Sequence, residues 1–596
     1  MTDERENSLK EKAEEERKKR IAEEIEADFE NRREARRTLE SGWALNVEFL
    51  KGNQYVDVSP LGGVEEVEKR FYWQNRHCFN HIAPTVEARM AKLTRMKPKL
   101  KVRAFSDEDG DVKAAKLATG VIDYVEERIG LGGTIGKATL WSETCGSAFY
   151  KIVWDEKGGR KVGVDENGED VYEGEVSVAA VSPFEVFPDD LQAEGLESVK
   201  SLIHAQEVDG AYLFEKFAVA VDEEETVLIE RYTAPCGKFP LGRLEIVAAG
   251  KLLYEGDLPY ENAERGERFF PFVKQDCMRN PGAFYGTSVV ERLVPVQKAY
   301  NAVRNRKHEL LNRLSMGVVT VEDGSVDTDE LEEEGISPGK ILIYRQGGKA
   351  PEMLECGEVP KEFQQEEEWL EREFTVVSGV SEMSQNSMPV NVTSASGLRL
   401  LLNEDNARIS VTTENLSEAV KEIGRQILRL YKQFAGSARL LRLTGENKKT
   451  EVYYFNAGEL SADDILFDTV ENVTPEERRE TIMTLLNAGL FSDREGKLTE
   501  DNKHRILEAF GYGSYENVKD ISSLHLNKAS EENRSLLKED VAADSYDDHE
   551  LHILEHTRFL LSGEFKKKSG AETKERFCRH MAEHEKMKNK KAVETV

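Results

Sequence analysis

The chain runs to 596 residues and carries 113 acidic against 82 basic side chains, a formal net charge of -31. That length exceeds what one hydrophobic core serves and predicts several structural units. The acidic surplus excludes tight groove binding to duplex nucleic acid unless cations are gathered locally, and 39% hydrophobic with 33% charged residues suits an elongated subunit with much exposed helix surface.

In chain order, residues 1–40 are almost wholly Glu, Lys, Arg and Ala, which favours helix but offers no continuous apolar face, so a solvated arm is expected. The same segment lacks the apolar core of a signal peptide, and no run of about 18 apolar residues occurs, which predicts a soluble, non-exported chain with no membrane partner. The folded body begins near Trp43, and Asn80-His81-Ile82-Ala83-Pro84 opens a helix through Arg95. Residues 111–129 repeat apolar positions with a helical period and stop at Gly130, placed as a C-cap glycine; a second helix follows over 135–145. Alternating or β-branched runs at 149–154, 176–181, 201–208 and 226–232, separated by turns such as Lys157-Gly158-Gly159 and Glu166-Asn167-Gly168, predict an antiparallel β region.

Ser288-Val-Val-Glu291 has capping-box spacing ahead of a helix through Met316, in which Leu293, Val296, Tyr300, Val303, Leu310, Leu311 and Leu314 return to one side. Segments 317–321 and 340–344 read as two short strands around an acidic stretch, 327–334. The next helix, 361–378, carries Phe363, Leu370, Phe374 and Val377 on one stripe. An uncharged Ser/Asn/Pro/Met segment, 384–396, precedes a long helix over 397–435 that Ser394 can cap. Thr474-Pro475-Glu476-Glu477 starts a further helix ending at Gly489, and the chain from Leu498 on reads as helical, polar and basic at its tail.

Two motifs suggest chemistry. Gly130-Leu-Gly-Gly-Thr-Ile-Gly-Lys137 resembles a phosphate-binding loop, but Leu131 occupies the first required glycine, Ala138 replaces the magnesium-holding Ser/Thr, and the preceding segment reads as helix. His549, His552 and His556, with Asp548 and Glu555 nearby, fit one helical face as metal ligands would, yet no fourth ligand is identifiable, so no metal ligand set is assigned. Cys78, Cys145, Cys236, Cys277, Cys356 and Cys578 lie far apart without zinc or redox spacing, which implies a reducing compartment. Neither a catalytic triad nor a nuclease-like acidic cluster stands out, and no cofactor is expected.

Asn280-Pro-Gly-Ala-Phe-Tyr-Gly-Thr-Ser288, the helix with Pro295-Val-Gln-Lys-Ala-Tyr-Asn301, and Val377-Val-Ser-Gly-Val-Ser-Glu-Met383 together resemble the portal proteins of tailed double-stranded DNA bacteriophages. Trp43 to Tyr55 and Pro98 to Val102 are similar to that family's entry region, and the resemblance covers roughly residues 40–510. It implies a helix-rich α+β fold assembled as a dodecameric ring. Residues 1–44 become a charged arm, 45–285 the wing, 286–316 and 361–383 the two stem helices, and 317–360 a small β-containing clip. Residues 384–397 become a tunnel loop, 398–473 the long wing helix and return strands, and 474–596 a crown with a helical tail.

The family further implies a non-enzymatic conduit at one capsid vertex, assembled in the host cytoplasm, through which viral DNA is packaged and ejected. Its expected partners are other copies of itself, the terminase large subunit, the major capsid and scaffolding proteins, head-tail adaptors and the passing double-stranded DNA. By position, Gln385, Asn386, Ser387, Met388, Pro389, Asn391 and Thr393 would face DNA. Asp327, Asp329, Glu330, Glu332, Glu333, Lys340, Tyr344 and Arg345 would dock terminase or adaptors. Charge supports the stem independently: from Leu293 to Met316, Lys298, Arg304, Arg306, Lys307 and Arg313 are set against one acid, Glu309, whereas from Lys361 to Phe374, Glu362, Glu366, Glu367, Glu368, Glu371 and Glu373 outnumber two cations. Opposite signs predict pairing, within a subunit or across a ring interface. Two rival readings are a cytoplasmic helical scaffold and a nucleotide-dependent DNA-processing enzyme using Lys137.

Overall fold

The alternating segments form antiparallel sheets. The computed structural model describes residues 2–69, 74, 76–95, 99–103, 109–164, 168, 170–219, 225–262, 266–316, 318–324, 326, 343–354, 359–380, 395–435, 439–444, 450–455, 466–470, 482–486, 521–537, 539–561, 565 and 571–594. They divide into two units, Met1–Arg103 with Ala114–Val470, and Ala104–Lys113 with Glu471–Val596. In the first, a five-stranded sheet runs in the order Lys251–Gly256, Arg243–Ala248, Glu225–Thr233, Ser201–Asp209, Val186–Pro188, and a three-stranded sheet in the order Phe272–Asp276, Ser147–Asp155, Glu175–Val181. Every neighbouring pair is antiparallel.

Helix α1, Thr2–Ala35, corrects the solvated-arm expectation. Ala22, Ile25 and Phe29 recur at helical spacing and are buried against Phe187, Ile203, Ala205, Ile229 and Val247 of the five-stranded sheet. Just beyond, the Arg36 side chain is fully buried and donates to the carbonyl of Pro183 at 2.9 Å and to the Tyr285 hydroxyl at 2.9 Å. Three apolar residues and guanidinium donors thus replace the broad stripe that a sequence reading looks for. Helix α2, Arg37–Lys51, buries Trp43 and Phe49 and ends at Gly52, whose φ of 98° is left-handed.

Helices α3, Ile82–Arg95, and α4, Asp109–Ile129, lead to Gly130, left-handed at φ 61°, and then to α5, Leu131–Cys145. A short α6, Gly210–Phe217, is capped by the Asp209 carboxylate accepting from Ala211 N. Helix α7 spans Val289–Met316, α8 Glu362–Ser378 and α9 Ala395–Phe434. With 40 residues, α9 is about 60 Å long, and its Ile409, Leu416, Ile423 and Ile427 pack with Ile135, Tyr150 and Ile152 in the main core. Strand Val318–Thr320 pairs with Glu352–Leu354; of the expected strand 340–344, Ile343 and Tyr344 are exposed and not in a strand, and 340–342 lie outside the described residues. The Thr320 hydroxyl donates to Glu352 O at 3.0 Å, reinforcing that register.

The second unit contains α10, Ile521–Leu536, α11, His549–Leu561, and α12, Ala571–Glu594, packed around Leu536, Phe565 and Phe577. The predicted helix start at Thr474 and its end at Gly489 lie outside the described residues.

Where the two sheets of the first unit meet, Glu230 Oε2 accepts from Lys151 Nζ at 2.5 Å, His204 Nδ1 at 3.1 Å and the Tyr232 hydroxyl at 2.9 Å. Burial works against ionisation of this carboxyl but is outweighed by His204 and the Lys151 ammonium, which hold it well below the usual carboxylate range. A depressed folded-state pKa stabilises above the unfolded value of about 4.3 and loses that contribution as pH falls through the folded value. Glu230→Gln should therefore lower stability by about 3 kcal/mol at pH 7 and flatten the acid limb of a urea-midpoint profile. Wild-type and variant profiles that run parallel from pH 7 to pH 3 contradict this account.

Candidate functional site

Helices α7 and α8 form the candidate site, and local chemistry places both. Ser288 Oγ accepts from Glu291 N at 2.9 Å, so the helix starts at its predicted cap, and Pro295 lies inside it. Its 28 residues span about 42 Å. Val289, Leu293 and Tyr300 pack on Leu370 and Phe374 of α8 together with Phe49, Ile82 and Val86. The His81 ring fits between the helices, 4.6 Å from Tyr300 and 5.2 Å from Phe374 by ring centroids. Gly379, left-handed at φ 69°, ends α8.

Contact between opposite charges on α7 and α8 centres on one carboxylate. Glu367 lies on the buried stripe of α8 and receives both Arg304 and Lys307. Its carboxyl is held low: burial opposes ionisation, but Lys307 and Arg304 outweigh it, while the bond to Glu367 raises Arg304. Glu371 accepts from the Tyr300 hydroxyl at 3.1 Å, and Lys298 pairs at 3.3 Å with Asp57, outside α8. Arg306, Glu362 and Glu366 are exposed and form no ion pair among the described residues. On α8, Glu362, Glu366 and Glu373 fall off the Glu367–Leu370–Phe374 stripe, onto a flank shared with exposed Trp369 and Val376.

Arg313 belongs to α7 but its side chain is not among the described ones, and Gln385, Asn386, Ser387, Met388, Pro389, Asn391 and Thr393 lie outside the described residues. So do Asp327, Asp329, Glu330, Glu332, Glu333 and Lys340; Tyr344 and Arg345 are exposed.

Two features escaped the sequence reading. Gln297, Asn301 and Asn305 of α7 are buried and bond an extended segment: His81 N donates to Gln297 Oε1 at 3.0 Å, Phe79 N to Asn301 Oδ1 at 3.1 Å and His77 N to Asn305 Oδ1 at 2.9 Å. Amides at intervals of four on one helix were the available signal. The other is a buried ion pair: Arg89 Nε donates to Glu143 Oε2 at 2.5 Å, Nη1 to Ser378 O at 2.6 Å and Nη2 to Thr412 Oγ1 at 3.3 Å. It joins α3, α5, the end of α8 and α9.

The phosphate-loop motif is not a loop. Residues 131–137 are the first turns of α5, Leu131 is buried, and a helix precedes Gly130, so no strand-to-helix amide cradle exists there. The three predicted histidines are buried on one face of α11; His552 and His556 gather with Glu532 of α10 and His584 of α12, residues the sequence reading did not connect with them, whereas His549 is not in that cluster.

Residues 243–481 match the model of the Phage P22-like portal protein family. The match supports a phage portal protein. No curated protein matches the chain. The matched span opens with strand Arg243–Ala248 and includes α7, α8 and α9, and the portal family is structural rather than enzymatic. The portal motif at 280–288 is sterically closed: a Cβ on Gly286 would stand 2.5 Å from Met278 O and 2.8 Å from Gly146 O. Gly286→Ala should prevent soluble folding or lower the urea midpoint sharply, and an unchanged midpoint contradicts the packing. For the ion pair, Arg89→Met alone should cost about 3–5 kcal/mol, and adding Glu143→Leu should recover part of that loss. Strictly additive losses in the double-mutant cycle remove the coupling.

Proposed function

We propose that identical copies of this chain close into a dodecameric ring at one capsid vertex, through which double-stranded DNA is packaged and later ejected. The observation that carries the reading is the portal-family match over a span containing two paired helices joined by a small β insert. In this reading 286–316 and 361–383 form the stem, 317–360 the clip that docks the terminase large subunit and then head-tail adaptors, and 384–397 the tunnel loop. Residues 45–285 and 398–473 build the wing, joined by the docked part of α1, and 474–596 the crown; capsid and scaffolding proteins surround the ring.

Within one chain, Glu367 already satisfies Arg304 and Lys307, which leaves Arg306 on one helix and Glu362 and Glu366 on the other for a neighbouring copy. Such exposed pairs contribute only about 0–1 kcal/mol each, so they specify the alignment of copies more than they stabilise it. A conduit must also avoid gripping DNA. Each fixed cation on a phosphate adds salt-dependent binding, whereas the tunnel-loop segment offers only uncharged side chains. Energy for translocation then comes from the separate terminase ATPase.

Negative-stain microscopy of the purified chain should show annular particles with a central hole; a monodisperse monomer at every salt concentration refutes the ring. Glu362→Lys with Glu366→Lys should reduce ring yield, with Arg306→Glu restoring it. Asn386→Lys with Asn391→Lys should slow packaging, most at low salt, because each new phosphate contact adds about 0.9 to the slope of log affinity against log salt. Unchanged packaging rates at low salt mean that these positions do not meet DNA.

A further inference from the structure

The second unit has a small apolar core, and beside it the interior is filled with imidazoles. Glu532 of α10, His552 and His556 of α11 and His584 of α12 are all buried, and their ligand atoms lie within 4.8 Å of one another. Buried polar rings need partners, and α10, α11 and α12 relying on packing alone would carry aliphatic residues here. Yet the Nε2 atoms of His552 and His556 make no hydrogen bond among the described residues.

The surroundings orient these groups as an outer ligand shell does. His556 Nδ1 lies 2.7 Å from Asn533 Oδ1, so the proton sits on Nδ1 and the Nε2 lone pair faces inward, 3.6 Å from Glu532 Oε2. His552 Nδ1 lies 3.0 Å from the same Oε2, while its Nε2 faces Asp547 Oδ1 at 3.8 Å. Lys528 stands 3.6 Å from the other Glu532 oxygen, Oε1. Ligands held about 2.0–2.1 Å from a tetrahedral ion stand roughly 3.3 Å apart, between the observed 3.0 and 3.6 Å.

We infer that this unit binds one zinc-class divalent ion through Glu532, His552, His556 and His584, clamping α10, α11 and α12. The ion takes the place of the proton between His552 Nδ1 and Glu532 Oε2, which passes to solvent, and His552 Nε2–H can then turn to Asp547 as a carboxylate–histidine–metal relay. Three imidazoles and one carboxylate favour zinc over the hard, oxygen-seeking calcium or magnesium. Around the set, His584 Nε2 meets His580 Nε2 at 3.1 Å, and His580 Nδ1 is tied to Val541 O at 2.8 Å, which holds α12 in place before the ion arrives.

The test uses the full-length chain, purified without a metal-affinity tag, stripped with chelator and titrated with Co2+. Visible bands of tetrahedral intensity, saturating at one Co2+ per chain and displaced by Zn2+, are expected. His556→Gln and His584→Gln should abolish them, and Asn533→Ala should weaken Zn2+ binding about 10- to 100-fold without touching a ligand. A weak octahedral spectrum on the wild-type chain, or tetrahedral bands that survive both histidine variants, overturns the site. The wild-type spectrum decides even where a variant fails to fold.

Discussion

The first unit depends on one buried charge pair. Arg89 and Glu143 have side chains only 5% and 0% exposed, so neither can reach water, and the desolvation of both must be met inside the protein. Burial works against the Arg89 charge but Glu143 overcomes it and raises the guanidinium. The remaining donors go to Ser378 O, a carbonyl at the end of α8, and to Thr412 of α9. Cys277 completes the shell, its buried thiol pushed well up and 3.4 Å from Glu143 Oε1. A hydrophobic cluster could supply similar stability, but it would not specify which turn of α9 meets the end of α8. The fork geometry of a guanidinium does.

That junction explains why the helix pair can be firm at one end. From Ser378 back to Phe374 and Leu370, α8 is held by packing on α7, and α7 in turn is stitched to residues 77–81 by Gln297, Asn301 and Asn305. Burying three amides is tolerable because each meets backbone groups that would otherwise lack partners. Apolar contact sets the stability of the pair, and the amides and the ion pair set its register.

Much of this was legible in the sequence because the relevant signals are local. Ser288 caps α7 through its own side chain, Gly130 ends α4 through its own backbone freedom, and alternation or β-branching marks strands Ser147–Asp155, Glu175–Val181, Ser201–Asp209 and Glu225–Thr233. Signals that depend on distant partners were not. The Ala22, Ile25 and Phe29 face of α1 makes sense only beside a sheet formed by residues 186–256, and Gln297, Asn301 and Asn305 look solvated until segment 77–81 arrives. Strand Glu352–Leu354 has no alternating β-branched pattern and is chosen by pairing with Val318–Thr320. Likewise, the histidines of α11 are visible as a helical face, but Glu532 and His584 lie on other helices, so the sequence showed only part of the ligand set.

The distribution of cations links the fold to the proposed conduit. Helix α7 is strongly basic in sequence, which alone would suit phosphate binding and brake a moving polyanion. Folding removes much of that capacity: Arg304 and Lys307 are spent on Glu367, and Lys298 lies beside Asp57. Glu367 is buried and held ionised, so its hold on the two cations is less exposed to salt than a surface pair would be. In the proposed ring, Arg306 is then answered by a neighbour's Glu362 or Glu366. Sequence charge therefore overstates what DNA would encounter in such a ring, because residues that pair α7 with α8 neutralise one another first.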